Sequence, residues 1–379
     1  MVTSQMRVGH FAVSTQLGGP RACALIGALA LCLLAAPSPA SQLFILPPSP
    51  TRNGTGVYDI SGDGTTVIGV DGGLKAASWN LVTGVETYLP DRFGGWGRVE
   101  AFGVSEDGRV IVGDASELGA SWVDGAITVL PAAYGHASNV SRDGRVIVGG
   151  DYTTAGGLEV VRWVDGVEEK LPSSLVGGYA NAVSGDGSVI GGSLPRGGGY
   201  RWQNGVVTPL PGLGGTYGGV DDMTPDGSIL VGNAALPGTS IGPAVRWVNG
   251  AIESLGDLPG GPLSAWANTT SADGTLIGGQ SWNTTSLIAF LWDPVHGMRD
   301  AKTALKDDYG IDTTGWVLTS VNGISDDGRV VVGNGYTGSD TNSVYRGWVA
   351  FIPEPAPALL LALGLGGIAL RPRKAAAAI

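Results

Sequence analysis

Side chains able to do acid, base or ligand chemistry are few and scattered. Beyond the first 40 residues there are two histidines, His136 and His296. His136 follows Tyr134-Gly135 in a polar loop, with no acid or nucleophile at a spacing that completes a relay. His296 precedes Gly297 at the place of a turn residue. Adjacent acids occur at Asp221-Asp222, Asp307-Asp308 and Asp326-Asp327, but a calcium loop spaces its oxygen ligands at alternate positions and these pairs do not. Both cysteines, Cys23 and Cys32, lie in an N-terminal apolar stretch, so the rest of the chain offers no disulfide and no thiolate metal site. No catalytic, cofactor-binding or metal-ligating residue is assigned, and no enzyme is expected. What remains is a set of aromatics, each in a Gly-rich or polar loop: Trp96, Tyr134, Tyr179, Tyr217, Trp266 and Trp316, with Tyr58 closer to its turn. Flat amphipathic rings gathered on one face would stack on sugar rings or grip an extended polymer. The other reading is that they pack between structural units.

The loops belong to a repeat. Ser or Thr, any residue, Asp, Gly, then a β-branched or Leu-rich run ending in Gly occurs seven times, with Asp-Gly at Asp63, Asp107, Asp143, Asp186, Asp226, Asp273 and Asp327. A tryptophan follows each: Trp79, Trp122, Trp163, Trp202, Trp247, Trp292 and Trp348. Most units add a second turn, as in Asp124-Gly125, Asp165-Gly166, Asn204-Gly205 and Asn249-Gly250, and a short strand ending near Leu-Pro. Asp-Gly and Asn-Gly suit the positive φ values of two-residue hairpins, so each unit reads as four short antiparallel strands. The fold expected is all-β: a seven-bladed β-propeller of four-stranded antiparallel blades, with a β-solenoid as the alternative. The seventh unit stops after its third strand, whereas Gln42-Leu43-Phe44-Ile45-Leu46-Pro47 resembles the final strands of other units. Residues 42–46 are therefore expected to complete the last blade beside strand 345–351. Arg299 to Asp308 has helical spacing, with Ala301, Ala304 and Leu305 apolar, and reads as an insertion before the seventh blade.

The sixth unit resembles the HAF extracellular repeats at Leu255-Gly256-Asp257-Leu258-Pro259-Gly260-Gly261, Ser271-Ala272-Asp273-Gly274 and Ala289-Phe290-Leu291-Trp292-Asp293. That resemblance implies an extracellular β-rich protein and brings no catalytic residue with it.

The ends read as addresses. Arg7 and Arg21 precede an apolar stretch from Ala22 to Ala36 and the small-residue sequence Ser38-Pro39-Ala40, so residues 1–40 read as a signal peptide and 41–352 as the repeat domain. In residues 353–379, Pro353-Glu354-Pro355 leads into an apolar run from Ala356 to Leu370 and a basic cluster, Arg371, Arg373 and Lys374. This tail resembles the PEP-CTERM sorting signal. The resemblance implies a short transmembrane helix, transient inner-membrane anchoring and processing by an exosortase-type enzyme, which leaves the protein at the cell surface or in its matrix. Its 15 apolar residues fall short of the roughly 20 that a stable span needs, and the basic residues after them place the C-terminus on the cytoplasmic side. A plain single-pass anchor is the other reading.

Arg7, Arg21, Arg371, Arg373 and Lys374 lie outside residues 41–352, leaving 17 of the 22 basic side chains within; only Glu354 is outside among the acids, leaving 32 of 33. The excess of 15 negative charges repels nucleic acid and anionic headgroups. The expected function is a noncatalytic surface or matrix protein that binds or scaffolds extracellular polysaccharide. The alternative is a secreted glycan hydrolase or lyase with carboxylates at the propeller channel, recognisable by a pair of acids without equivalents in other blades.

Overall fold

The computed structural model describes residues 43–46, 54–72, 75–92, 98–132, 135–152, 157–337 and 344–353. Residues 1–40, expected to be a signal peptide, and Glu354, Pro355, Arg371, Arg373 and Lys374 of the expected sorting tail lie outside these residues, as do Trp96 and Tyr134. No helix of the described residues is long and apolar enough to cross a membrane.

The strands form seven four-stranded antiparallel sheets, six of them in simple sequence order. Blade one is built from 55–60, 66–71, 75–80 and 85–88; the next five blades begin at Val99, Gly135, Tyr179, Gly218 and Ala265. Each blade's first strand touches the first strands of both neighbours, all the way round from blade seven back to blade one, which makes a closed ring around a channel. The seventh sheet holds 316–324, 330–337 and 344–351, and its fourth strand is Leu43–Ile45. Leu43 pairs with Ala350 and Ile45 with Trp348, so the N-terminal segment closes the circle as expected. The insertion is the helix Ala301–Tyr309, capped by the Asp300 side chain at one end and by Gly310 at φ 67 at the other; it buries Ala301, Ala304 and Leu305.

Two turn types share the Asp-Gly signature. At the second turns both residues have positive φ, as at Asp124 (49°) and Gly125 (82°), the geometry of a two-residue hairpin. At the first turns only the glycine does, for instance Gly64 at 72°. There the loop is longer: the Ser61 carbonyl accepts from Gly64 N–H, and Asp63 braces the loop, accepting from the Ser61 hydroxyl at 2.6 Å and from Thr65 N–H at 2.9 Å. The expectation of a two-residue hairpin at every Asp-Gly thus fails at the first turns, because a Ser or Thr two residues before the Asp gives its carboxylate a donor and favours the wider loop.

The repeated tryptophan and the repeated Leu-Pro form one device. Trp122, Trp163 and Trp247 are buried, and each indole N–H donates to a carbonyl at the end of the preceding blade: Pro90, Pro131 and Pro211, at 2.9, 2.9 and 2.8 Å. The leucines before those prolines, Leu89, Leu130 and Leu210, are buried at the same seams.

Candidate functional site

The glycine that ends the second-strand run sets the shape of the channel. Gly69, Gly113, Gly149, Gly192, Gly232, Gly279 and Gly333 lie against a first-strand carbonyl of their own blade, so close that a Cβ at any of them would overlap it. Opposite each glycine the register slips by one residue. The extra residue is the third before the motif Ser or Thr: Tyr58, Phe102, Ser138, Asn181, Asp221, Asn268 and Asn322. A bulge turns such a side chain out of the ladder, and all seven line one cavity of ≈ 320 Å³ in the channel.

The cavity has two unlike walls. On one, Tyr58 and Phe102 lie with ring centroids 5.6 Å apart, and the His136 ring meets Phe102 edge-on at 5.2 Å. On the other stand the amides of Asn181, Asn268 and Asn322 and the carboxyl of Asp221. The amides also tie blades together: Asn181 Nδ2 donates to the Val220 carbonyl at 3.0 Å, Asn268 to Val321 at 2.9 Å and Asn322 to Val57 at 2.6 Å. Their carbonyl oxygens are left with capacity to accept from a guest.

Three channel carboxyls differ in what they bond. Asp59 accepts from Ile60 N–H at 2.8 Å and, in the next blade, from Val104 N–H at 3.3 Å. Asp222 does the same with Met223 N–H at 2.7 Å and Thr270 N–H at 3.0 Å. Asp221 accepts no hydrogen bond among the described residues. Desolvation within the ring pushes all three upward: Asp59 well above the usual carboxylate range, Asp222 to about 6, and Asp221, with the neighbouring Asp222 charge adding to desolvation, to about 7. The backbone donors restrain Asp59 and Asp222, and Asp221 has none. All three remain only half-buried, because channel space reaches them.

On the turn side the channel is narrowed. Backbone bonds link neighbouring turns, including Asp63 N–H to the Glu106 carbonyl, Glu106 N–H to Arg142 and Asp326 N–H to Gly62, each 2.9 to 3.0 Å. Arg142 of blade three reaches across to an ion pair with Asp326 of blade seven. Five acids, Asp59, Glu106, Asp221, Asp222 and Asp326, thus line the cavity against one guanidinium, which Asp326 already occupies.

His136, without a partner discernible from spacing, has one in space: its Nδ1 lies 2.7 Å from Asp114 Oδ2 on the second strand of blade two. His296 sits in a turn, where Asp293 accepts from its backbone N–H at 2.9 Å. It also stands with Asp293 and Asp308 in a grouping with metal-like spacing, but the Arg299 guanidinium bonds both carboxylates, at 3.1 and 2.5 Å, and supplies the positive charge there.

Of the aromatics singled out from sequence, Tyr179 and Tyr217 are exposed, Trp266 is half-buried, and Trp316 is buried at 7 % in the cluster formed with the inserted helix. None of these four lines the channel cavity; Tyr58 does. Pro353 lies two residues beyond the last strand. The channel-lining set was missed because its signal is one of position and not of residue type. The seven bulge residues are of five types and share only their place three before each Ser or Thr.

No family model matches the sequence, and no curated protein does. Solved structures share the architecture. An oligogalacturonate lyase in complex with manganese is 15% identical, with a TM-score of 0.55 over 82% of this chain and 93% of that chain. Oligogalacturonate lyase from Vibrio parahaemolyticus is 14% identical, with a TM-score of 0.55 over 82% and 94%. U3-55K is 13% identical, with a TM-score of 0.54 over 82% and 98%. At such identities the likeness is one of fold alone.

Proposed function

We propose that this propeller is an exported, noncatalytic surface or matrix protein that binds extracellular saccharide in its channel. The observation that carries the reading is the division of the cavity into an aromatic wall, Tyr58 and Phe102, and a polar wall of Asn181, Asp221, Asn268 and Asn322. A sugar ring has an apolar face for stacking and a rim of hydroxyls for amides and carboxyls, so both walls find a counterpart in one guest. Asp59 and Asp222 are spent as staples between blades and Asp326 pairs with Arg142, which leaves Asp221 as the unbonded carboxyl within the channel and Glu106 on its exposed turn side. Delivery rests on the two terminal addresses, with the exosortase-type cut falling just after the closing blade. The test is saccharide binding by Phe102→Ala: affinity drops about tenfold with unchanged folding, and a loss of stability with normal binding refutes the proposal.

One observation favours the hydrolase or lyase alternative. His136, held by Asp114, lines the same cavity as Asp221, so a base and an acid face one space. That alternative predicts product release from oligosaccharides and its loss in His136→Gln; binding without turnover counts against it.

A further inference from the structure

The charge balance of the cavity narrows the ligand. We infer that the channel binds a cationic amino sugar, a segment of de-N-acetylated polysaccharide whose ammonium group pairs with Asp221. This rests on the saccharide-binding reading above. Asp221 sits at the bulge of blade five, opposite Gly232, with no hydrogen bond from the protein, and the bulge directs it into the cavity. Around it stand Asp222 on the same strand, Asp59 from blade one, Glu106 from blade two and the Arg142–Asp326 pair from blades three and seven. His136 has its own acid, Asp114. Among the described lining residues no positive charge is left to neutralise Asp221.

A carboxyl without a partner in such a space is stabilised by a guest that brings the missing cation. An ammonium group on a sugar ring does so while the ring lies on Phe102 and Tyr58 and its hydroxyls donate to the amide oxygens of Asn268 and Asn322. Uronate polymers fit the same volume but place a carboxylate among five acids, so the cavity rejects them.

Titration calorimetry of the full-length chain with a glucosamine tetramer and an N-acetylglucosamine tetramer tests the inference. The free amine is expected to bind about tenfold tighter, the value of one charge-assisted bond. Asp221→Asn is expected to abolish that preference, so that the two tetramers bind alike. Asp221 holds nothing in the fold, so the variant keeps its structure; Asp221→Ser serves as a second variant. Equal or tighter binding of the acetylated tetramer, or a preference that survives in both variants, overturns the inference and leaves the saccharide reading standing. Binding of neither tetramer overturns both.

Discussion

Asp186 and Asp226, in the first turns of blades four and five, hold their carboxyls below the usual range, whereas Asp221 and Asp222 in the channel are pushed well above it. The backbone N–H of Ser188 and the Ser184 hydroxyl bond Asp186; the Thr224 hydroxyl and Ser228 N–H bond Asp226; both acids are exposed. Asp221, enclosed by the ring, has no donor to offset desolvation. The turn aspartates recur in every blade because every hairpin needs the same brace. The raised channel aspartates, Asp59, Asp221 and Asp222, occur in two blades of seven, and this break in the repeat separates a structural acid from one with unused capacity.

The largest effect is expected at the glycine opposite Asp221. Gly232→Ala is expected to straighten the blade-five bulge, cost about 3 kcal/mol in urea unfolding and swing Asp221 out of the channel, because the new Cβ meets the Gly219 carbonyl. Next comes Asp222→Ala, which strips Met223 and Thr270 N–H of their carboxylate acceptor and should cost about 2–3 kcal/mol. Asp186→Ala removes a brace at an exposed turn and should cost about 1 kcal/mol, with saccharide binding unchanged. Asp221→Asn is expected to act in the opposite direction, raising Tm at pH 8 by about 1–2 °C for each kcal/mol of desolvation relieved.

The pH dependence has its sign fixed by the same contrast. Unfolded aspartate titrates near 3.9, whereas Asp222 and Asp221 titrate at about 6 and about 7 when folded. Between those values the folded chain binds more protons than the unfolded one, so these groups make the fold more stable as pH falls from 8 toward 5. Below about 4 the trend reverses as Asp186 and Asp226, depressed in the fold, take up protons. Thermal melts from pH 8 to 3 should therefore peak near pH 5, and Asp221→Asn should flatten the limb above pH 5 and leave the limb below it.

Much of the fold was legible because the repeat writes it seven times. Ser/Thr-x-Asp-Gly marks the first hairpin, the tryptophan marks the third strand, and the incomplete seventh unit announces that Leu43–Ile45 must serve as its fourth strand. The insertion helix was legible too, since Ala301, Ala304 and Leu305 fall on one helical face. These are local regularities, set by turn chemistry and side-chain period, and they survive being read one unit at a time. The site was not legible in that way. Tyr58, Phe102, Asn181, Asp221, Asn268 and Asn322 are spread over 265 residues and come together only when the ring closes. Trp316 looks equivalent to Trp266 in sequence, yet the inserted helix buries it. His136 acquires Asp114 from a neighbouring blade, and Asp221 acquires its raised pKa from the surrounding ring. The sequence by itself determined the number of blades, their turns and the closure, because those follow from contacts between near neighbours. Only the tertiary structure decided which residues share a cavity and which charges lack a partner, because proximity across a ring and the loss of solvent inside it depend on all seven blades together.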